Sequence, residues 1–379
     1  MFLLCRGEIM LMLRRKMLRD IMKYKSQFIA IFVTIVLGTA SFISFFTAAE
    51  SLNKSYTLVY EKLKYEDFEV VFNFAPESVI RNVSRISNIK AVEGRLEAET
   101  GIYINESLQI GGLAIGINST ARPRVNDLEI IEGSYFQSNE SECLLEHHFA
   151  SAYGYKAGDN ITLIINGEKV NFVIRGIVMS PEYIIIFGGG FEISVGYTFG
   201  VVFVPLRFLQ QKLEMPHTIT KIVATVKDKT KLDDTISEVK SILKDYPVIQ
   251  ISRREDLPAY SGLKADIDGF YLIAYVFSAI LFFITIIEIY IILTRIIFTQ
   301  RRIIGALKAI GVSKKKIIMH YLMYSLTIWL ISIIAGCILA IPLSEEILTF
   351  YISTLRIPYK VVVFKPCLLY TSPSPRDRG

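Results

Sequence analysis

Three long apolar runs constrain the fold of this 379-residue chain more than any other feature. They cover residues 28–49, 270–294 and 317–343, and the single Asp, Glu, Lys or Arg within them is Glu288. At a helical rise of about 1.5 Å per residue, each run is roughly 33–40 Å long, enough to cross a hydrocarbon layer of about 30 Å. A mean hydropathy of +0.41 is also high for a water-soluble protein. The sequence therefore predicts transmembrane helices at 26–49, 270–294 and 317–343.

The first run has an alternative interpretation as a cleaved signal peptide, because basic residues precede it and Thr47-Ala48-Ala49 are small. Its apolar core is longer than the about 7–15 residues typical of such peptides. We therefore expect it to be retained as a helix.

Charge placement predicts the orientation of these helices. Residues 1–25 carry seven basic side chains against two acidic ones, and residues 295–316 carry seven basic and no acidic ones. The formal charge of the whole chain is only +6, so the remainder is net acidic. Because basic loops stay in the cytoplasm, we expect the N-terminus and residues 295–316 inside, and residues 50–269 and 344–366 outside the cell membrane. The pI of ≈ 8.9 then reflects topology, and nothing predicts binding to nucleic acid.

Residues 50–269 predict one large extracytoplasmic α/β domain. Strand-like segments at 68–74 and 91–104 enclose a helical stretch that begins near Ser78 and runs to about Ile86. The same pattern recurs at 221–226, 231–244 and 248–251, where the central segment is an amphipathic helix. Two βαβ-like units are therefore expected to flank a middle segment.

The middle segment, at about 120–205, predicts a small β-rich subdomain. Asn166-Gly167, between strand-like runs at 161–165 and 169–178, is a strong signal for a two-residue hairpin. A short helix is expected at 143–153, a turn at Gly158-Asp159, and a flexible loop at 187–190, Phe-Gly-Gly-Gly.

The one cluster with metal-ligand chemistry is formed by Glu142, Cys143, Glu146, His147 and His148. On a helix, the side chains of Cys143, Glu146 and His147 would share a face. No further His or Cys group lies nearby in the sequence to complete four ligands, so we expect neither a metal site nor a cofactor. Because Cys143 is the lone cysteine between 50 and 269, an intrachain disulfide is excluded there.

Two features within the apolar helices carry hypotheses. Glu288 lies about six residues inside the cytoplasmic end of the second helix, where a charged side chain snorkels or pairs with a neighbouring helix. Transmission of motion and proton relay are the alternatives. Small side chains recur at every fourth position of the third helix and predict a helix-packing face: Ser332, Gly336 and Ala340.

The most informative stretch is 301–313, RRIIGALKAIGVS. Its apolar residues at 303, 304, 307 and 310 form one stripe of a short helix. Gly311 suits the left-handed residue that ends a helix, and Ser313 suits the cap of the next helix. A short amphipathic helix is expected at the cytoplasmic membrane face, and a basic loop lying on lipid is the alternative. The chain has no Gly-x-x-x-x-Gly-Lys-Ser/Thr motif, so we expect it not to hydrolyse ATP itself.

This stretch, with its Arg-rich entry and the order of one helix, a large outer domain and further helices, resembles the FtsX-like/MacB-type permeases of ABC transporters over residues 12–366. The resemblance implies a second permease unit, in a homodimer, a heterodimer or the same chain. The family usually has Glu where this chain has Ile303, which puts one charged contact in doubt. The resemblance also implies that residues 301–313 form a coupling helix that contacts a separate ATPase. The contact residues would be Arg301, Arg302, Ile304, Gly305, Leu307, Lys308, Ala309 and Gly311.

Residues 367–379, CLLYTSPSPRDRG, differ abruptly in composition from the sequence before them. They look like a translated sequencing adapter, and a Ser/Pro-rich disordered end is the alternative. We therefore expect the natural protein to continue beyond Pro366 with further helices.

The leading functional hypothesis is a non-catalytic permease of the mechanotransmission type. ATP hydrolysis by a partner subunit would move the coupling helix, and the spanning helices would convey the displacement to the outer domain, which exports or extracts a lipoprotein, a peptide or an antibiotic. The partners expected are the ATPase, membrane lipid, and an accessory or substrate protein outside. The alternative is a membrane sensor or scaffold that detects a peptide or activates a cell-wall enzyme without transport.

Overall fold

The computed structural model describes residues 19, 22–104, 108–138, 140–184, 186–187, 193–194, 198–309, 311–355 and 357–363. The predictions for residues 1–18, for glycines 188–190, for Ile310 and for the tail 367–379 lie outside these residues. The described residues form eight α-helices and twelve strands. The helices are α1 Lys25–Lys62, α2 Ser78–Ser84, α3 His147–Tyr153, α4 Leu206–Lys212, α5 Leu232–Ile242, α6 Pro258–Thr299, α7 Arg301–Ala309 and α8 Lys314–Leu355. The strands are β1 Phe68–Pro76, β2 Ile89–Tyr103, β3 Gln109–Ile117, β4 Glu129–Gly133, β5 Glu142–Glu146, β6 Asn160–Ile165, β7 Glu168–Met179, β8 Ile186–Phe187, β9 Ile193–Ser194, β10 Phe199–Pro205, β11 Thr218–Val226 and β12 Val248–Arg253.

The three long helices α1, α6 and α8 are long and apolar enough to cross a membrane, as predicted. Each extends past the predicted transmembrane limits: α1 continues to Lys62, α6 begins at Pro258, and α8 ends at Leu355. The apolar run marks the part of a helix that lipid can surround, and a helix continues beyond it wherever its residues favour helix and find neighbours.

The chain divides into a helical unit (residues 1–52, 267–351 and 362–379) and an α/β unit (residues 53–266 and 352–361). In the helical unit, α1 contacts both other long helices. The ring of Phe46 lies 5.3 Å from the ring of Tyr271 on α6, and Phe28 stacks at 6.4 Å on Tyr324 of α8. Large apolar side chains such as Phe283 and Ile338 remain about two-thirds exposed. Lipid or further helices would cover such a surface.

The first half of the α/β unit is a split βαβ arrangement with the strand order β12-β1-β11-β2. Strand β11 lies antiparallel between β1 and β2, and β12 lies antiparallel on the other side of β1. Helices α2 and α5 cover this sheet through Val79, Val83 and Val239, which pack on Phe68 and Phe72. The two predicted βαβ units are thus interleaved in one sheet.

The second half of the α/β unit is a ring of strands that pair in the order β2-β3-β10-β5-β7-β6 and back to β2. Its interior is filled by Ile102, Phe149 and Phe172 among others. The predicted lower boundary at 120 is wrong, because the fifteen-residue strand β2 serves both sheets and β3 already belongs to the ring. The β-rich part therefore begins within β2.

The hairpin prediction is confirmed. Strands β6 and β7 pair from Ile165 and Glu168 outwards, and both turn residues, Asn166 and Gly167, have positive φ (53° and 79°). Gly158 also has a positive φ of 98° in the predicted turn. The flexible loop predicted from Phe187 needs correction at its first residue, since Ile186–Phe187 pairs with Ile193–Ser194.

Candidate functional site

The candidate functional site begins where α6 ends and the short helix α7 starts. Thr299 is the last residue of α6, Gln300 forms the turn, and α7 runs from Arg301 to Ala309. The Gln300 side chain is buried, and its Oε1 accepts a hydrogen bond of 2.8 Å from the hydroxyl of Tyr321 on α8. The turn between the two helices is therefore tied to the third long helix.

The end of α7 forms as its sequence predicts. Gly311 has a φ of 88°, which glycine adopts without steric cost. Its N–H donates to the Lys308 carbonyl, and the Val312 N–H donates to the Leu307 carbonyl, each at 3.0 Å. This is the Schellman pattern of hydrogen bonds that satisfies the last carbonyls of a helix. Ser313 precedes α8, and its carbonyl accepts from the N–H of Lys316 at 3.0 Å.

One face of α7 packs on the helical unit itself. Ile304, Leu307 and Val312 are half-buried against a cluster contributed by all three long helices. The buried members of that cluster are Phe28, Ile31, Ile35, Ile292, Ile296, Ile317, Tyr321, Tyr324 and Ile328. The resemblance assigns Ile304 and Leu307 to an ATPase contact. Much of the surface of both side chains is instead buried against the chain's own helices.

The opposite face of α7 is open and basic. Ile303 is 44% exposed at the position where the family usually has Glu. A Cβ added to Gly305 would meet no atom within 4 Å, so another protein's backbone can approach closely at this point. The exposed residues among those described in α7 and at its end are Arg301, Arg302, Ile303, Gly305, Ala306, Lys308, Ala309 and Gly311.

Glu288 contacts α1. Its Oε1 accepts a hydrogen bond of 3.4 Å from the hydroxyl of Thr34, while its Oε2 is buried with no hydrogen-bond partner among the described residues. Among the interpretations of Glu288 considered from the sequence, pairing with a neighbouring helix describes this contact.

The small residues of α8 also lie against α1. Ser332 and Ala340 are fully buried. A Cβ added to Gly336 would come within 2.7 Å of the Thr39 Cβ, and the Ser44 hydroxyl donates to the Ala340 carbonyl at 3.2 Å. The two backbones therefore approach closely along this stripe.

The helical geometry considered for a metal cluster is wrong. Glu142–Glu146 is strand β5, buried throughout, and the helix begins only at His147. Glu146 caps that helix: its carboxylate accepts from the N–H groups of His148 and Phe149 at 2.8 and 3.2 Å and contacts His148 Nδ1 at 2.6 Å. No group of three potential ligands among the described residues is arranged to hold a metal ion.

The α/β unit contains a buried ionic cluster that the sequence patterns did not predict. Arg95 on β2 is 1% exposed and forms an ion pair with Glu182. Lys221 on β11 stands directly opposite Arg95, and its Nζ lies 3.2 Å from Glu69 Oε2 and 3.0 Å from Glu97 Oε1. These carboxylates offset the repulsion expected between two opposed cations.

Glu66 completes this cluster with a pKa raised well above 4.5. Burial is the main cause, and the nearby carboxylates of Glu182 and Glu69 add to it. Burial acts to lower the pKa of Lys221, but the carboxylates of Glu97 and Glu69 outweigh it and raise that pKa. The cluster therefore keeps Lys221 charged and disfavours the ionised form of Glu66.

A second, partly buried arginine joins the two ends of the segment 53–266 of the α/β unit. Arg254 donates to the carbonyls of Tyr65 and Glu66 at 2.6 Å each and to Asp67 Oδ1 at 2.8 Å. Nearby, the rings of Tyr60 on α1 and Tyr260 on α6 lie 5.7 Å apart. Residues near the start of the segment 53–266 are thus clamped to residues near its end.

Two family models match the chain. The MacB-like periplasmic core domain matches residues 28–242, more than half of the chain, and the FtsX-like permease C-terminal region matches residues 275–371. Proteins of this kind are permease components of ABC transporters, generally non-catalytic, that work with ABC ATPase partners.

Solved structures similar to this chain are domains that lie outside the membrane. The extracellular domain of the noncanonic ABC-type transporter YknZ from Gram-positive bacteria matches with a TM-score of 0.35 and 13% identity, over 48% of this chain and 99% of that one. The periplasmic region of MacB from Actinobacillus actinomycetemcomitans matches with a TM-score of 0.34 and 12% identity, over 56% and 98%. No curated protein matches the chain at a significant level. On the two family models, the chain belongs to the MacB/FtsX-like family of ABC transporter permeases.

Proposed function

We propose that this chain is a mechanotransmission permease in which a separate ATPase pushes on α7. The observation that carries the proposal is the two-sided packing of α7. Its inner face is held by all three long helices, and its outer face presents exposed basic side chains around Gly305. A displacement applied to the outer face therefore acts on α1 and α6, which both continue into the α/β unit.

The same proposal includes the class of substrate. Export or extraction of a lipoprotein, a peptide or an antibiotic from outside the hydrophobic core fits an α/β unit that is large relative to the helices. If the α/β unit instead senses a peptide or recruits a cell-wall enzyme, ATPase binding at α7 would remain and export would be absent. Export measured in cells that carry the complete gene and its ATPase separates these two functions.

We further propose that α7 is cytoplasmic and the α/β unit extracytoplasmic, as the basic residues of 295–316 favour. In a variant whose four cysteines are replaced, Lys227→Cys in the α/β unit should react with a membrane-impermeant maleimide in intact cells. Lys308→Cys should react only after permeabilisation. Both positions are exposed. The reverse pattern of labelling would overturn the proposed orientation.

Gly305→Trp tests the ATPase contact. A Cβ at this position meets no neighbour in the isolated chain, but a bulky side chain should block a close partner, so co-purification of the ATPase should fall roughly tenfold or more. Gly269→Trp is the matched control, because Gly269 is also a helical glycine with no neighbour within 4 Å of an added Cβ. Leu307→Asp is a poorer probe, since Leu307 packs within the helical unit. Normal co-purification of the Gly305→Trp variant would contradict the proposal.

A further inference from the structure

The α/β unit contains a cavity of ≈ 220 Å³ beside the buried ionic cluster. Its polar wall includes Glu66, Glu69, Glu182 and Lys221, and its aromatic wall includes Tyr65, Tyr183 and Phe199. Leu257, Pro258 and Ala259, where α6 begins, line the same cavity. Acidic, aromatic and aliphatic surfaces therefore meet around one small space.

The charges around this cavity do not balance. The Arg95 guanidinium is paired with Glu182, and the Lys221 ammonium is shared by Glu69 and Glu97. Glu66 has neither cation within ion-pair distance in the described structure, and Arg254 reaches only its backbone carbonyl. Four carboxyl groups thus face two cations, and Glu66 is the one left over.

Glu66 also has an unused acceptor at the cavity. It is 1% exposed and lines the cavity, and its Oε2 has no hydrogen-bond partner among the described residues. A buried carboxyl oxygen without a partner is costly, and a cationic donor placed beside it would remove that cost. The aromatic rings next to it favour a positive charge on an aliphatic stem.

We propose that this cavity binds an alkylammonium group. The ammonium would donate to Glu66 Oε2, and its alkyl stem would lie against Tyr65, Tyr183 and Phe199. The volume is below the about 300 Å³ at which drug-sized ligand pockets begin, so the occupant is a short-chain amine or the end of a lysine-type side chain. An anion is disfavoured by the excess of carboxyl groups.

Binding of the amine is coupled to a proton. The groups that face Glu66 are the carboxyls of Glu182 and Glu69, which with burial raise its pKa, and the cations Lys221 and Arg95, which lower it. Tyr65 lies beside it. The ammonium stabilises the ionised form, so Glu66 releases a proton as the amine binds and affinity should rise with pH until Glu66 ionises on its own. The amine stays protonated below about pH 10 and does not titrate in this range.

Saturation-transfer NMR with the complete chain in detergent tests the site. Butylammonium should bind, whereas 1-butanol and butyrate, of similar size, should bind at least tenfold more weakly. Glu66→Gln should weaken butylammonium roughly tenfold to a hundredfold, the loss expected for a hydrogen bond to a charged group. Glu93→Gln is the matched control, because Glu93 is a half-buried carboxyl of β2 that does not line the cavity. The Glu93→Gln variant should bind butylammonium as tightly as the parent does.

Folding of the Glu66→Gln variant can be checked independently. A carboxyl whose folded pKa is raised costs stability as pH rises above its unfolded value near 4.5. The variant should therefore be more stable than the parent at pH 7, and the difference should vanish below about pH 4.5. Equal butylammonium binding in parent and variant, or preference for butyrate or 1-butanol, would overturn the proposal and leave a purely structural ion cluster. If lysine with blocked termini binds more tightly than butylammonium, the occupant is a lysine side chain of a peptide. If it binds more weakly, the occupant is a free amine.

Discussion

Arg254→Met should lower the free energy of unfolding of the α/β unit by about 3 kcal/mol, the lower end of the effect of breaking a buried ion pair, because the Arg254 side chain is 16% exposed. The substitution keeps most of the aliphatic stem but removes the donors to the Tyr65 and Glu66 carbonyls and to buried Asp67. Pulse proteolysis of the detergent-solubilised chain across a urea series measures the change as a lower midpoint for cleavage.

Arg253→Met is the control for this prediction. Arg253 is the preceding residue, and its ion pair with Asp233 joins two side chains that are both about half exposed or more. Exposed pairs contribute little, so the expected loss is below about 1 kcal/mol. If both variants shift the urea midpoint equally, the clamp at Arg254 does not stabilise the unit.

Gly133→Ala should destabilise the same unit by a different mechanism. Gly133 ends β4 opposite Gly176 of β7, with a φ of 81°, and an added Cβ would lie 2.2 Å from the Arg175 carbonyl oxygen. A left-handed backbone costs an alanine about 1–2 kcal/mol, and forcing a group into a packed site costs about 1–3 kcal/mol more. Strand β4 would have to move, and the urea midpoint should fall accordingly.

Gly167→Ala separates backbone strain from the steric clash. Its φ of 79° is nearly the same, but no atom lies within 4 Å of an added Cβ. This variant should show the cost of the left-handed backbone alone. If the Gly133→Ala variant is as stable as the Gly167→Ala variant, strand β4 moves to accept the added Cβ without a loss in the free energy of unfolding.

Local patterns in the sequence predicted local structure well. The apolar runs gave the long helices, Asn166-Gly167 gave the hairpin, and Gly311 gave the end of α7. Each of these depends on neighbours within a few residues. Residues 143–146 were misassigned to a helix because a short apolar run that is buried on both faces has no period to distinguish strand from helix.

The ionic cluster could not be predicted in the same way. Glu66, Arg95, Glu182 and Lys221 are widely separated in sequence and meet only through strand pairing, which spacing along the chain does not report. The one available signal was Arg95 within an otherwise half-buried strand. The orientation of α7 is a similar case, since its stripe predicted an apolar face but not that Ile304 and Leu307 would face the chain's own helices.

The clamp between Arg254 and residues 65–67 brings together the two ends of the segment 53–266, which forms the α/β unit with residues 352–361. Because these ends are neighbours, removing the segment requires only a short bridge between α1 and α6. A shortened chain of this kind would retain the α6–α7–α8 segment. It follows that a segment with similarly spaced ends can replace residues 53–266 if it also packs against residues 352–361.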